Sequence, residues 1–238
     1  MKLDNKVREA LENIFKETGA ISIFVYGSRA RNDFKKESDY EIGALYLRDK
    51  KARRSEIAKL HDIEGMNVYP FVYEDFLNYE IDTPFPKAIY LREIIGAAKT
   101  VLGENVIEKM KLPEIRMSNL IERVGFDIAT AFAAYRSFKS GDELVAAINF
   151  KSTLFGLRLL EILELGKFPY TYDEIVENSK ELDLSEEYRE LVEHAAMVRK
   201  GGKIEERFLF TNISFLSQVV SKKIWEKYKE DGDVAVLE

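Results

Sequence analysis

Two short groups of residues near the start of the chain have the side chains needed to bind phosphate and a divalent cation. They are Gly27-Ser28 and Asp39-Tyr40-Glu41, and ten residues separate Ser28 from Asp39. Glycine lets the backbone approach a ligand closely, and free backbone amides with a serine hydroxyl bind phosphate oxygens. On a strand, Asp39 and Glu41 point the same way, and adjacent carboxylates repel unless a cation separates them. Mg²⁺ on nucleotide phosphates is the usual such cation, so the spacing predicts a nucleotide site.

The first group needs a strand that ends at the glycine. Residues 21–26 are mostly β-branched or aromatic and contain no breaker, which predicts a buried strand. Gly27 ends this strand, and Ser28 is predicted to cap a short helix that continues through Arg31. We refer to Gly27 and Ser28 together as the Gly-Ser bend.

The second group, Asp39 and Glu41, is referred to as the acid pair and precedes another apolar run. Residues 42–47 predict a second strand, so the acid pair lies where that strand begins. Residues 66–73 predict a third strand, and Pro70 indicates that this strand is bulged or lies at the edge of the sheet. The basic run between these strands, residues 48–54, is interpreted as a solvated loop or the start of a helix.

Composition excludes several classes of site. The chain of 238 residues is 46% hydrophobic and 33% charged, which is typical of a globular protein. It contains no cysteine, which excludes disulfides and thiolate sites, and its two histidines exclude a multi-histidine metal centre. The net charge of −6 argues against general nucleic-acid binding. No stretch is long and apolar enough for a membrane span and no leader is visible, so a cytoplasmic location without membrane association is expected.

The pattern of apolar residues changes near the middle of the chain. Leu112-Pro113-Glu114 combines charge with a proline that stops a helix, and is the predicted domain boundary. We predict an α+β protein: residues 1–112 form a mixed sheet with flanking helices, and residues 113–238 form an antiparallel bundle of about five helices. Within the bundle, residues 115–138 and 143–165 are each predicted as one long helix, and the tail from residue 231 is predicted to fray.

These motifs resemble a known superfamily. A Gly-Ser pair followed, ten residues later, by Asp-x-Asp or Asp-x-Glu is the signature of the polymerase-beta-like nucleotidyltransferases. The Glu in second place resembles the kanamycin-type aminoglycoside nucleotidyltransferases. The segments 73–77 and 154–157 are similar to the same group. The resemblance implies a catalytic domain over residues 1–112 and an acceptor-binding bundle over residues 113–238. It also implies AMP transfer from ATP to a hydroxyl-bearing acceptor, with Mg²⁺, in a homodimer.

A hypothesis for the mechanism assigns roles to individual residues. In it, the Gly-Ser bend holds the β and γ phosphates, the acid pair binds Mg²⁺, and Arg29 or Arg31 neutralises the departing pyrophosphate. The alternative for Arg29 and Arg31 is that both are surface residues. The family has a general base on its first bundle helix, and the corresponding residue here is Asp127, with Glu122 as the second choice. Apolar neighbours would raise the pKa of Asp127 and suit it to accept a proton. Ala131 occupies the position of a family lysine, so the acceptor site differs and kanamycin is not implied as the substrate.

One departure from the family keeps an alternative open. Active members carry a third carboxylate on the third strand, whereas Asn67 and the residues up to Pro70 are not acidic. Glu64, just before the strand, is the nearest substitute. The alternative is a catalytically degenerate nucleotide-binding or sensor protein. A second alternative is an RNA-cleaving helical protein, because Arg189 and His194 have the Arg-x4-His spacing of a helical ribonuclease family, although a plain helix-face histidine is the favoured interpretation.

Overall fold

The chain divides into two compact units in a computed structural model that describes residues 3–34 and 38–238. The first unit is Met1–Pro113 and the second is Glu114–Glu238. The protein is α+β: the first unit contains a four-stranded sheet and helices, and the second is almost entirely helical. Over the part of the chain that the structure describes, no helix combines the length and the apolar character that a membrane span requires.

The first unit alternates strands with short helices. Its helices and strands, in chain order, are α1 (Asn5–Thr18), β1 (Ser22–Tyr26), α2 (Gly27–Arg31), β2 (Tyr40–Tyr46), α3 (Arg54–Ile57), β3 (Met66–Val72), α4 (Tyr73–Leu77), α5 (Lys87–Ala97) and β4 (Lys99–Gly103). The start of α1 is capped by Asp4, whose side chain accepts a hydrogen bond from the Lys6 amide, and the helix ends at Gly19 in the left-handed conformation.

The sheet is mixed and has the order β3-β2-β1-β4. β2 runs parallel to β3 and antiparallel to β1, and β4 is antiparallel to β1. The C-terminal end of β1 therefore lies beside the first residues of β2, at the same end of the sheet as the first residues of β3. β3 is an edge strand, which confirms the prediction from Pro70, because proline cannot donate a ladder hydrogen bond.

Side chains alternate between the two faces of this sheet and build a core on each. One face carries Ile23 and Val25 of β1 and packs with Leu11 and Ile14 of α1. The other face carries Phe24 and Tyr26 of β1 and Leu45 of β2, which pack with the apolar side of α5 through Leu91 and Ile94. Glu41 is four residues before Leu45 in β2, so it lies on this second face, at the end of the sheet nearest the Gly-Ser bend.

The second unit is organised around one long helix. Its helices and strands are β5 (Ile115–Arg116), α6 (Met117–Lys139), α7 (Glu143–Asn149), α8 (Ser152–Leu160), α9 (Tyr172–Asn178), α10 (Glu186–Arg199), α11 (Glu206–Ser214), α12 (Ser221–Asp231) and β6 (Ala235–Leu237). α6 packs against α7, α8, α11 and α12. Leucines such as Leu120, Leu157 and Leu160 are completely buried and form part of its core. The antiparallel arrangement of these helices stays a prediction.

Two predictions for the second unit are wrong. The single helix predicted over 143–165 is divided into α7 and α8, and a π-helical turn, Glu161–Leu165, follows. The tail after residue 231 is not frayed in the structure, because β6 pairs with β5 and the Asp233 carboxylate accepts a hydrogen bond from the Ser118 amide at 2.8 Å. Short-range patterns missed this tail because its partners lie more than a hundred residues earlier in the chain.

Candidate functional site

The Gly-Ser bend and Glu41 are in direct contact. In the ladder between β1 and β2, Tyr26 is opposite Glu41, and Gly27 follows with a positive φ of 69°. A methyl group built on Gly27 would lie 1.8 Å from Oε2 of Glu41, so the carboxylate fills the space that any other side chain at position 27 would need. Gly27 is thus required twice: for its left-handed backbone and for the close approach of the carboxylate.

Asp39 lies on the same side of the sheet as Glu41. Asn67 of β3 is opposite Glu41 in the parallel ladder, so the two side chains share a face. The Asn67 Nδ2 donates a hydrogen bond to Oδ2 of Asp39 at 3.3 Å, which brings Asp39 to that face. Oδ1 of Asp39 also lies close to Gly65, where an added methyl group would be 2.9 Å away. The three side chains of Asp39, Glu41 and Asn67 form what we call the acid edge.

The acid edge has the donor set that a magnesium–nucleotide complex needs. Among residues 3–34 and 38–238, no three acidic or histidine side chains form a cluster that could hold a metal ion. Mg²⁺ is commonly held by one or two carboxylates, with phosphate and water oxygens completing its six ligands. The acid pair fits this requirement, because Asp39 is exposed and Glu41 is held against the Gly-Ser bend.

Two tyrosines lie behind Glu41. The hydroxyl groups of Tyr26 and Tyr90 are 3.2 Å apart, and the Tyr26 ring contacts the Tyr69 ring of β3 with centroids 6.3 Å apart. Burial raises the pKa of Tyr26, and burial together with the charge of Glu41 raises the pKa of Tyr90 to about 12. Both phenols therefore stay neutral at physiological pH and add no negative charge beside the acid edge.

The arginines after the bend are engaged within the first unit. The Arg29 guanidinium donates to the Ser38 carbonyl from Nε at 3.0 Å and lies 3.8 Å from the centre of the Tyr40 ring. Arg31 pairs with Glu93 of α5 at 3.1 Å and with Asp33 at 3.5 Å. These contacts hold α2 against the start of β2 and against α5, so both arginines shape the bend. Their role toward pyrophosphate stays a prediction.

The predicted cap at Ser28 differs from the structure. The helix begins one residue earlier, at Gly27, with Tyr26 in the cap position, and Ser28 lies inside the first turn. The Ser28 carbonyl accepts a hydrogen bond from the Asp33 amide at 3.1 Å. A glycine with positive φ allows the chain to turn into the helix directly after the strand, which a serine-cap pattern does not anticipate.

In the second unit, Asp127 is fully buried and paired. The Nε of Arg123, one turn earlier on α6, lies 3.1 Å from Oδ1 and 3.0 Å from Oδ2 of Asp127. Arg123 is itself buried, with its guanidinium 4.6 Å from the centre of the Phe155 ring. Asp127 therefore faces a buried cation in addition to the apolar neighbours that its sequence context indicates. Glu122 is exposed on the same helix. The role of Asp127 as a base stays a prediction.

The residues of the ribonuclease-like spacing have internal hydrogen bonds. His194 is buried, its Nε2 accepts a hydrogen bond from the Glu205 amide at 3.2 Å, and its ring stacks on Phe208 at 4.1 Å. Burial lowers the pKa of His194, consistent with a neutral ring that accepts this bond. Arg189 donates to the Leu182 carbonyl at 3.3 Å. These contacts favour a structural role for both residues.

The fold resembles that of a characterised enzyme. No protein-family model matches the sequence, and no curated protein matches it. A crystal structure of spectinomycin adenyltransferase AAD(9) from Enterococcus faecialis, with ATP and spectinomycin, is similar to this chain with a TM-score of 0.55. The two sequences are 16% identical, and the similarity covers 93% of this chain and 97% of that chain. The chain therefore has the α+β fold of that adenyltransferase.

Two charged residues occupy positions in the structure that their sequence context did not predict. Arg54, at the start of α3, donates to Oδ1 of Asn67 at 3.1 Å and so reaches the acid edge. In the helical unit, Glu161 is fully buried and accepts a hydrogen bond from Asn178 at 2.9 Å. Arg54 belongs to the basic run 48–54, whose composition is typical of a solvated loop and gives no sign of a contact with Asn67. The apolar neighbours of Glu161, Leu160 and Ile162, were the available signal for its burial.

Proposed function

We propose that this protein is a nucleotidyltransferase that transfers AMP from ATP to a hydroxyl group of a small acceptor. The observation that carries the proposal is the contact of the Glu41 carboxylate with Gly27, which joins the phosphate-binding bend and the acid pair into one site. The adenyltransferase with the similar fold was crystallised with ATP and spectinomycin, which supports the same class of reaction here. A hydroxylated, aminoglycoside-like molecule is the acceptor class that we propose.

In this proposal the chain positions the nucleotide with the Gly-Ser bend and the acid edge. Backbone amides and the hydroxyl of Ser28 bind the β and γ phosphates. Asp39 and Glu41 would hold Mg²⁺, which when bound there supplies positive charge against the triphosphate oxygens. Asn67 keeps Asp39 in place through its 3.3 Å hydrogen bond, and Gly27 leaves room for Glu41.

The transfer exchanges one phosphorus–oxygen bond for another. The acceptor oxygen bonds to the α-phosphorus, the bond from the α-phosphorus to the bridging oxygen breaks, and pyrophosphate leaves with that electron pair. The hydroxyl proton passes to a base, for which Asp127 is the proposed residue. No part of the Asp127 side chain is exposed, so this role requires its pair with Arg123 to open.

The proposal also gives roles to the second unit and to a second copy of the chain. We assign acceptor binding to the helical unit, Glu114–Glu238, and expect two copies of the chain to pair. Sedimentation velocity at micromolar concentration tests the pairing directly. A monomer at all concentrations would restrict the acceptor site to residues of a single chain.

Asn67 favours one other function, that of a nucleotide sensor without transfer. This residue occupies the position opposite Glu41 with a neutral amide, which leaves two carboxylates at the acid edge. A site of this kind would bind a magnesium–nucleotide complex and release it unchanged.

One experiment separates the two functions. Binding of a non-hydrolysable ATP analogue with Mg²⁺ is measured by calorimetry, and pyrophosphate release is then measured with ATP and a panel of hydroxylated acceptors that begins with spectinomycin. Binding with acceptor-dependent release supports the transferase, and binding without release supports the sensor. A chain that binds no nucleotide overturns both.

A further inference from the structure

Arg54 brings a positive charge to the acid edge through a neutral amide. Its guanidinium donates from Nη2 to Oδ1 of Asn67, and the Nδ2 of the same amide donates to Asp39. The amide is thereby oriented, with its oxygen toward the arginine and its nitrogen toward the carboxylate. Asn67 thus connects Asp39 to Arg54, although the sequence pattern around Arg54 is typical of a solvated loop or the start of a helix.

The guanidinium is held in a defined place. Besides the hydrogen bond to Asn67, it lies 4.6 Å from the centre of the Tyr69 ring, two residues further along the same face of β3. Stacking on the ring and the hydrogen bond together restrict the plane of the guanidinium. The residue is exposed, and a guanidinium has five N–H donors, of which Asn67 uses one.

The charge of Arg54 is not matched by a carboxylate. Within the described parts of the chain, no Asp or Glu lies at ion-pair distance from Arg54, whereas Arg31 pairs with Glu93 and Arg48 pairs with Asp75. An arginine held beside two carboxylates but not paired with either retains its positive charge for an anion. Planar guanidinium groups match phosphate oxygens through two parallel hydrogen bonds.

We propose that Arg54 binds the phosphates of the nucleotide and serves as the second cation of the site, beside a single divalent ion held by Asp39 and Glu41. This inference rests on the proposed function, because it needs a nucleotide at the acid edge. It goes further by naming a catalytic residue outside the Gly-Ser bend and by fixing the metal stoichiometry. Asn67 acts as a positioning residue that presents Arg54 and holds Asp39.

The test compares Arg54→Ala with Arg53→Ala. Arg53 carries the same charge one residue before α3, but its side chain makes no described contact with Asn67, so its variant controls for net charge. We expect Arg54→Ala to weaken binding of a non-hydrolysable ATP analogue with Mn²⁺ by about tenfold and to leave adenosine binding unchanged. Arg53→Ala should leave both affinities within about twofold, because the Arg53 side chain has no described contact with Asn67 or Tyr69 to hold it beside the acid edge. Arg54→Lys should restore part of the loss.

Electron paramagnetic resonance of the wild-type complex should count one Mn²⁺ per chain. Two bound ions, equal affinities for the two alanine variants, or an equal loss of adenosine binding in Arg54→Ala would each overturn the inference while leaving the proposed function intact. A wild-type chain that does not bind the ATP analogue would instead remove the proposed function, and this inference with it.

Discussion

The carboxylates of the acid edge in the first unit and the buried carboxylates of the helical unit differ in solvent exposure and in their hydrogen-bond partners. Asp39 is exposed and receives its described hydrogen bond from a neutral amide, Asn67. Asp127 is fully buried and accepts its hydrogen bonds from a guanidinium that is also buried. Glu161 is buried beside Asn178. Asp39 is open to a cation from solution because it is exposed and its partner is neutral, whereas burial closes Glu161, and burial together with a guanidinium closes Asp127.

The largest effect is expected from Asp39→Asn. Loss of one of two carboxylates at the acid edge should reduce Mg²⁺-dependent binding of ATP, and any transfer, by more than about a hundredfold, because even indirect partners of metal ligands cost 10–100-fold. Calorimetry and pyrophosphate release measure the two effects. Asp49→Asn, which removes an exposed acid of the same unit, is the matched control. Turnover that survives Asp39→Asn would show that the acid edge binds no catalytic metal.

Asp127→Asn should act on stability. The substitution leaves the Arg123 guanidinium buried without its carboxylate, which should lower the free energy of unfolding by about 3 kcal/mol. The double variant Arg123→Met/Asp127→Leu should recover most of that loss, and Glu122→Gln, an exposed acid on the same helix, should change little. Denaturant unfolding measures all three.

The double variant also decides the role of Asp127 in catalysis. If transfer activity is retained in a stable Arg123→Met/Asp127→Leu protein, the carboxylate is not the general base. If activity is lost while stability is recovered, the Asp127 carboxylate has a catalytic role although it is buried, and the contrast between the two regions does not hold.

Gly27→Ala tests the contact between the bend and Glu41. The new methyl group would lie 1.8 Å from Oε2 of Glu41 and should displace the carboxylate, so ATP affinity is expected to fall about tenfold. Gly19→Ala is a matched control, because Gly19 has a similar φ of 66° but nothing within 4 Å of the added methyl. Both variants should lose about 1 kcal/mol of stability from left-handed strain. Equal ATP affinities would contradict the contact.

Glu161→Gln should act on the pH dependence of unfolding, with no effect expected at the acid edge. Burial raises the pKa of Glu161 to about 8, well above its value in an unfolded chain. The folded state therefore holds a proton that the unfolded state releases, and stability falls as pH rises from about 4.5 to 8, by at most about 1.4 kcal/mol per pH unit. Glu161→Gln should flatten this slope, while Glu177→Gln, on the surface, should not. An unchanged slope would show that Glu161 is ionised in the folded protein.

Local sequence was sufficient to predict several elements of the first unit and the position of the acid pair. The unbroken apolar runs predicted β1, β2 and β3, and Pro70 predicted that β3 is bulged or lies at the edge of the sheet, where the structure has it. These features depend on neighbours within a few residues, such as alternation along a strand or the absence of an N–H in proline, so a linear pattern contains them.

Contacts between distant residues required the folded chain. The pairing of β5 with β6, the hydrogen bonds of Asn67 to Arg54 and Asp39, and the partner of Asn178 all join residues at least a dozen positions apart. The Arg123–Asp127 pair is close in sequence, yet its burial depends on how other helices cover α6. Packing sets the partners and the solvent exposure of side chains. The spacing of residues therefore located Asp39, Glu41 and Asp127 but did not predict that Asp39 accepts from Asn67 or that Asp127 pairs with Arg123.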